Sequence, residues 1–370
     1  MAPRNLYIVA TGQHVGKTTI SLGLMHALMQ RGLRVHFFKP VGQQTVERQG
    51  VRIDKDAVLI QSALSIESGL AKMSPVTVPK GFVEGYLFNR NVEPLKRAIL
   101  ESYQQVAQGC DVIVIEGTGH AGVGSCLDLS NAEVASLLGA QALMVVEGGV
   151  GSTIDEVALN LGLFQIQKVQ VIGVVANKVW LEKRQHIEEM LRQGLANLGL
   201  RFLGAIPYDA RLTYPQVGQI ARELGAEVVC GERFLDRQVH NILVAAMEPQ
   251  NVLPRIGPRS LMITPGDRID NILLAANSGL LRSSREEGVV ALLLTGGFAL
   301  DPAILSLVEC SGLPVLVSKE DTYPVTARVQ CMIFKMLPDE IEKIQQAEHL
   351  VKQHVNIDEI LPYLLGKAPA

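Results

Sequence analysis

Apolar runs alternate with amphipathic stretches along nearly the whole 370-residue chain. Residues 6–10 (LYIVA), 35–38 (VHFF), 111–115 (DVIVI), 142–146 (ALMVV), 169–176 (VQVIGVVA) and 202–206 (FLGAI) are short and bounded by polar residues or glycine. Runs of this kind predict strands buried on both faces of a parallel sheet. Apolar residues at helical spacing between them predict helices from about Lys17 to Gly32, over 55–64, over 94–108, from the capping box Ser130-Asn131-Ala132-Glu133, after a second capping pair of Thr153 and Glu156, and over 182–198, 215–224 and 236–247. Residues 65–92 are rich in Pro, Gly and Val and carry no readable period. Strands alternating with helices in this way predict a doubly wound, mostly parallel α/β domain.

The alternation breaks once. Residues 248–259 contain Pro249, Pro254, Gly257 and Pro258 without an apolar period, which predicts a linker after a first domain of residues 1–247. The pattern then restarts with strands at 261–264, 289–294 and 314–317, helices over 269–279, over 302–310 and beyond Tyr323, and terminal helices over 338–353 and 357–364. A second, smaller α/β domain over 260–370 is therefore expected, of about 100 residues, a common domain size. Two domains also suit the chain's length.

Composition narrows the function classes. Hydrophobic residues make up 48% and charged residues 19%, which describes a globular protein with ample core material. A net charge of −3 offers no general attraction for nucleic acid or an anionic membrane, so neither is expected as a partner. No apolar run reaches the roughly 20 residues that span a bilayer, and Met1 leads into the first strand without a signal peptide, so a cytoplasmic location is expected. Cys110, Cys126, Cys230, Cys310 and Cys331 have no C-x-x-C spacing, which argues against a disulfide framework or a zinc site and leaves them as expected packing residues.

The candidate chemistry gathers at strand ends. After the first strand, Thr11-Gly12-Gln13-His14-Val15-Gly16-Lys17-Thr18-Thr19 follows the phosphate-loop pattern G-x-x-x-x-G-K-[ST], with Thr11 in place of its first glycine. Backbone N–H groups of such a loop and of the following helix point at one spot, Lys17 adds a charge there, and the Thr18 hydroxyl reaches a magnesium ion. Lys39 follows the second strand and projects toward the same loop, since ligands of open α/β sheets sit outside the carboxyl ends of strands; it also reads as a simple strand end before Pro40. Asp54 and Asp56 open a helix, where carboxylates favour the helix dipole. Glu116, at the tip of the third strand and followed by Gly117, is placed for a magnesium contact. A second glycine-rich loop, Gly148-Gly149-Val150-Gly151, opens a helix whose N-terminus suits an anion. Asn177 at the fifth strand's end is placed to bond a base edge or to serve as an ordinary strand-end residue. His14 and His120 lie near the expected γ-phosphate, for proton transfer or for ordinary hydrogen bonding.

In order, the chain carries TGQHVGKTT, FFKPVG, DKDA, VIVIEGTGH, VVANKV and GAIPYD. The series resembles the dethiobiotin synthetase group of P-loop enzymes, with cobyrinic acid a,c-diamide synthase more distant. It is most similar to the dethiobiotin-synthetase-like region that begins long bacterial phosphate acetyltransferases, and the second domain resembles the DRTGG domain that follows it there. The resemblance implies Mg²⁺ and ATP as ligands, with Lys17 and Lys39 catalytic, Thr18, Asp56 and Glu116 on the metal, Gly12 to Thr19 around the phosphates, and Asn177 and Pro207 at the adenine. It also implies a homodimer. Ala10 stands where the synthetase loop has its first glycine, His14 replaces an acidic residue, and Gly12 occupies the position of the extra lysine of partitioning ATPases, against a MinD-like role. The Asp-Arg that names the DRTGG domain is replaced by Leu293-Leu294 before Thr295-Gly296-Gly297, while Asp267-Arg268 sits in an earlier loop. With the sequence ending at Ala370, the acyltransferase domain is expected to be absent, and phosphate acetyltransferase activity is not expected. The expected role is a regulatory or sensor module with slow ATP hydrolysis, and with a protein partner or small-molecule effector at the second domain. The alternatives are an ATP-dependent ligase that phosphorylates a carboxylate or carbamate, and a nucleotide-binding scaffold without turnover.

Overall fold

The computed structural model describes residues 3–48, 50–66, 69–279 and 285–366. Residues 67 and 68, inside the stretch without a readable period, lie outside the described residues. The chain divides into two units, the first formed by residues 1–212 together with 336–370, the second by 213–335.

Six strands of the first unit form one sheet: β1 (Arg4–Ala10), β2 (Val35–Phe38), β3 (Val112–Glu116), β4 (Gln141–Glu147), β5 (Val171–Val179) and β6 (Phe202–Pro207). Their order is β6-β5-β4-β1-β3-β2, and every neighbouring pair is parallel. Side chains alternate faces along a strand. Leu6, Ile8 and Ala10 of β1 therefore pack in one core with helices α1 (Lys17–Gln30) and α2 (Lys55–Leu64), while Tyr7 and Val9 enter a second core with helices over Glu93–Val106, Gly151–Ile166 and Arg184–Asn197. This is the expected doubly wound parallel sheet. The stretch without a period holds two short helices (Leu70–Met73 and Phe82–Phe88) and a two-residue strand, Val76–Thr77, paired with Val41–Gly42.

The second unit has a five-stranded sheet: β7 (Glu227–Cys230), β8 (Asn241–Val244), β9 (Ser260–Pro265), β10 (Val289–Thr295) and β11 (Val315–Val317), in the order β7-β11-β10-β9-β8. Only the β7–β11 pair is antiparallel.

Three expectations are corrected. The run at 236–247 is not a helix, because Asn241–Val244 pairs in parallel with β9 and leaves no helical hydrogen bonds to make. The proline-rich residues 248–259 are consequently no linker; they carry a short helix (Pro249–Val252) and a 3₁₀ turn (Leu253–Arg255) in the crossover between two parallel strands inside the second unit. The terminal helices α3 (Ile341–His354) and α4 (Ile357–Leu364) belong to the first unit, where Ile344, Ala347, Leu350, Val351, Ile357 and Ile360 are buried in the α1 core. The approach is close at two glycines. A methyl group on Gly23 of α1 would lie 2.5 Å from Val351, and one on Gly204 of β6 would lie 1.9 Å from the His354 carbonyl oxygen.

Candidate functional site

The loop after β1 is shaped by one glycine. Gly16 caps α1 at φ 106, a left-handed conformation, and a methyl group there would sit 2.1 Å from Asn177 Nδ2. Gly12 has no such demand, since a methyl group there would lie an ordinary 3.6 Å from Val15. Gln13 and His14 are exposed, Val15 is buried, and His14 is also left-handed. No side chain caps the N-terminus of α1 and no acidic residue lies in its first turn, so that end of the helix presents its dipole to an anion. Lys17 is the first helical residue and is buried, with Thr18 and Thr19 half-buried beside it.

Four predicted residues converge beside this loop. Thr18 Oγ1 donates to Glu116 Oε1 at 3.0 Å. Lys39 Nζ donates to Asp56 Oδ2 at 2.8 Å, to the same Glu116 Oε1 at 3.0 Å, and to the Gly117 carbonyl at 3.4 Å. Lys39, Asp56 and Glu116 are 3%, 2% and 1% exposed, so the cluster is closed to bulk water. Each arrives by a separate route: Lys39 from the end of β2, Asp56 from the first turn of α2, Glu116 from the end of β3. Asp54 caps α2 by accepting from the Asp56 backbone N–H at 2.9 Å, which separates the structural aspartate of the pair from the one facing Lys39. Burial pushes the Lys39 pKa down, but Asp56, Glu116 and Asp54 outweigh it and the net shift is upward.

Beneath the cluster, Tyr7 and Asn131 order the loop after Glu116. Tyr7 donates to Asn131 Oδ1 at 2.9 Å, and Asn131 Nδ2 donates to the carbonyls of Thr118 at 2.8 Å and His120 at 2.6 Å. Burial raises the Tyr7 pKa, with Lys39 opposing and Glu116 adding to the shift. Sequence reasoning found the Ser130–Glu133 capping box, which forms as expected, but missed this role of the asparagine inside it.

Asn177 lies inside β5, is buried, and donates its amide to Val15 O at 2.8 Å. Its donor thus holds the phosphate loop rather than pointing into open space. Pro207 ends β6, and the following Tyr208 N–H donates to Val179 O at 2.8 Å. Trp180 and Tyr208 pair there, ring centroids 4.9 Å apart, with Trp180 57% exposed. The second glycine loop leads into a helix without the expected Thr153–Glu156 capping box; Thr153 lies within the first turn and donates instead to Glu147 O at 3.2 Å. Of the cysteines, Cys110 and Cys230 are buried as packing residues, whereas Cys126, Cys310 and Cys331 are exposed.

The residues fit a magnesium ion. Thr18, Asp56 and Glu116 supply hard oxygen donors. Glu116 Oε2 is buried and makes no hydrogen bond, a costly state for a carboxylate oxygen that a cation would relieve. Among the described residues no three His, Cys, Asp or Glu side chains converge as a metal cluster by themselves, and the Lys39 ammonium contacts both carboxylates.

An AAA domain model matches residues 4–216, and a DRTGG domain model matches residues 219–332. The chain belongs to the AAA domain family. Among curated relatives, the phosphate acetyltransferase of Nitrosomonas europaea is 28% identical over 94% of this chain and 50% of its own length. That of Pseudomonas putida is 30% identical over 95% of this chain and 51% of its own length. The chain thus spans about half the length of the curated relatives it matches. Among solved structures, MinD of Aquifex aeolicus aligns over 56% of this chain and 84% of its own (16% identity, TM-score 0.37). A plasmid partition protein of Borrelia burgdorferi bound to AMPPNP aligns over 57% and 90% (14% identity, TM-score 0.37). Both family matches place the division between units near residue 217, close to the structural division and far from residues 248–259. Among the described residues no helix is long and apolar enough to cross a membrane.

Proposed function

We propose that the chain is a regulatory module whose AAA unit binds Mg-ATP and hydrolyses it slowly, and whose DRTGG unit carries the signal to a protein partner or small-molecule effector. The observation that carries the reading is the convergence of Thr18, Lys39, Asp56 and Glu116 beside the uncapped N-terminus of α1. In this reading the α1 N-terminus, the loop from Gly12 to Thr19 and Lys17 bind the phosphates. Thr18, Asp56 and Glu116 would hold the magnesium ion, which supplies charge neutralisation along the triphosphate when bound. Pro207 and the region around Asn177 border the base, with Asn177 acting chiefly by fixing Val15. Nucleotide binding would bias two arrangements of the protein through differential affinity for them. A homodimer is part of the proposal, and the exposed apolar residues Leu159, Leu163 and Ile166 on one helix suit a second copy.

A ligase is the second reading, favoured by Lys39: a buried ammonium beside the phosphate loop can stabilise charge on a transferring phosphoryl group. Phosphate release from Mg-ATP separates the two. The regulatory reading expects slow release, unchanged by small carboxylic acids and amines, and reduced about a hundredfold in Lys17→Ala. Strong stimulation by one acceptor, lost in Lys39→Ala, would replace it with the ligase.

A further inference from the structure

We propose that the Lys39 ammonium is a built-in cation that closes the Thr18–Asp56–Glu116 site in the nucleotide-free protein, so that a divalent ion enters only when Lys39 is drawn away to a bound triphosphate. The inference rests on the nucleotide-binding reading and adds an order to it.

The ammonium has three N–H donors and three acceptors within reach: Asp56 Oδ2, Glu116 Oε1 and the Gly117 carbonyl, at 2.8, 3.0 and 3.4 Å. It therefore occupies the space between the two carboxylates that a metal ion would take. Thr18 Oγ1 is directed at the same Glu116 oxygen, so all three expected ligands are engaged with one another or with Lys39. Two positive charges cannot share so small and so dry a space, and binding of one excludes the other.

Lys39 does not satisfy the site completely. Glu116 Oε2 remains buried without a hydrogen bond, in a side chain that is 1% exposed. A purely structural ion pair would have no need for that unpaired oxygen, whereas a site built for a second occupant leaves it available. Asp54 also contributes to the field that holds the ammonium, so leaving is costly unless another polyanion receives it. A triphosphate on the adjacent loop is such a receiver, because its oxygens can accept the same N–H donors. Free divalent ions would then be refused by the empty protein and admitted together with nucleotide.

The test is Mn²⁺ binding without nucleotide, followed by electron paramagnetic resonance, in wild type, Lys39→Met and the double variant Lys39→Met/Glu116→Gln. Lys39→Met should bind Mn²⁺ about tenfold or more tightly than wild type, and the double variant should lose that gain. If Lys39→Met unfolds in chelator, Mn²⁺ should restore its fold. The proposal is overturned if folded Lys39→Met binds Mn²⁺ no better than wild type, or if Mn²⁺ fails to restore an unfolded Lys39→Met while the double variant folds. Failure of wild type to bind Mg-ATP would instead remove the nucleotide reading itself, so the two failures are distinguishable.

Discussion

Gly16→Ala is expected to lower the stability of the first unit by about 3 kcal/mol and to abolish its stabilisation by ATP. Two costs add. A residue with a side chain is strained at φ 106, and its methyl group would lie 2.1 Å from Asn177 Nδ2. Asn177 cannot simply swing aside, because it is buried and its amide holds Val15 O. For a unit of this size the loss corresponds to a drop in melting temperature of roughly 6–12 °C. Gly12→Ala is the control: its methyl group would lie an ordinary 3.6 Å from Val15, and little change in melting temperature is expected. Equal melting curves for the two variants would contradict the geometry of the loop.

Cutting the chain after Lys335 should have a still larger effect. The cut removes α3 and α4, and with them Ile344, Leu350, Val351, Ile357, Ile360 and Leu364 from the core over α1. Each large side chain contributes roughly 1.5–3 kcal/mol by burial. Their sum approaches or exceeds the roughly 5–15 kcal/mol of a typical domain's net stability. Ties such as the 2.9 Å His26–Glu348 contact and the 2.8 Å bond from Gln346 to Asp209 are lost too. The truncated protein is expected to be insoluble or to lack a cooperative melt for the first unit. A soluble product with an unchanged ATP-dependent melt would contradict the assignment of the C-terminal helices to that unit.

That second prediction marks where the sequence was hardest to read. Strands such as VIVIE and LMVV announce themselves because a parallel sheet buries both faces, and the GKT loop announces itself because a phosphate cradle needs glycine, lysine and a hydroxyl in that order. Glu116 was legible from its place at a strand tip and Lys39 from its place at a strand end. Asp56 stood out as a ligand only through the family resemblance, and the contacts of Lys39 with the two carboxylates were not legible, since they join residues 17 and 77 positions apart. The run NILVAAM at 241–247 suits a helix or a strand equally by apolar content, and only the pairing of Asn241–Val244 with β9 decides it. A helix there would leave the prolines that follow as a linker. One signal pointed to the returning C-terminal helices: α1 buries Ile20, Leu22, Leu24, Met25 and Leu28, residues spread around its circumference. A helix apolar on all sides needs cover on its outer face.

The central claim is that the loop ending in Gly16-Lys17-Thr18 binds a nucleoside triphosphate. Calorimetric titration of Mg-ATP into wild type and Lys17→Ala tests it most directly. The structure predicts saturable binding at one site per chain in wild type, weakened about a hundredfold by the substitution. No saturable binding to wild type at millimolar Mg-ATP, or equal binding by the two proteins, would contradict it.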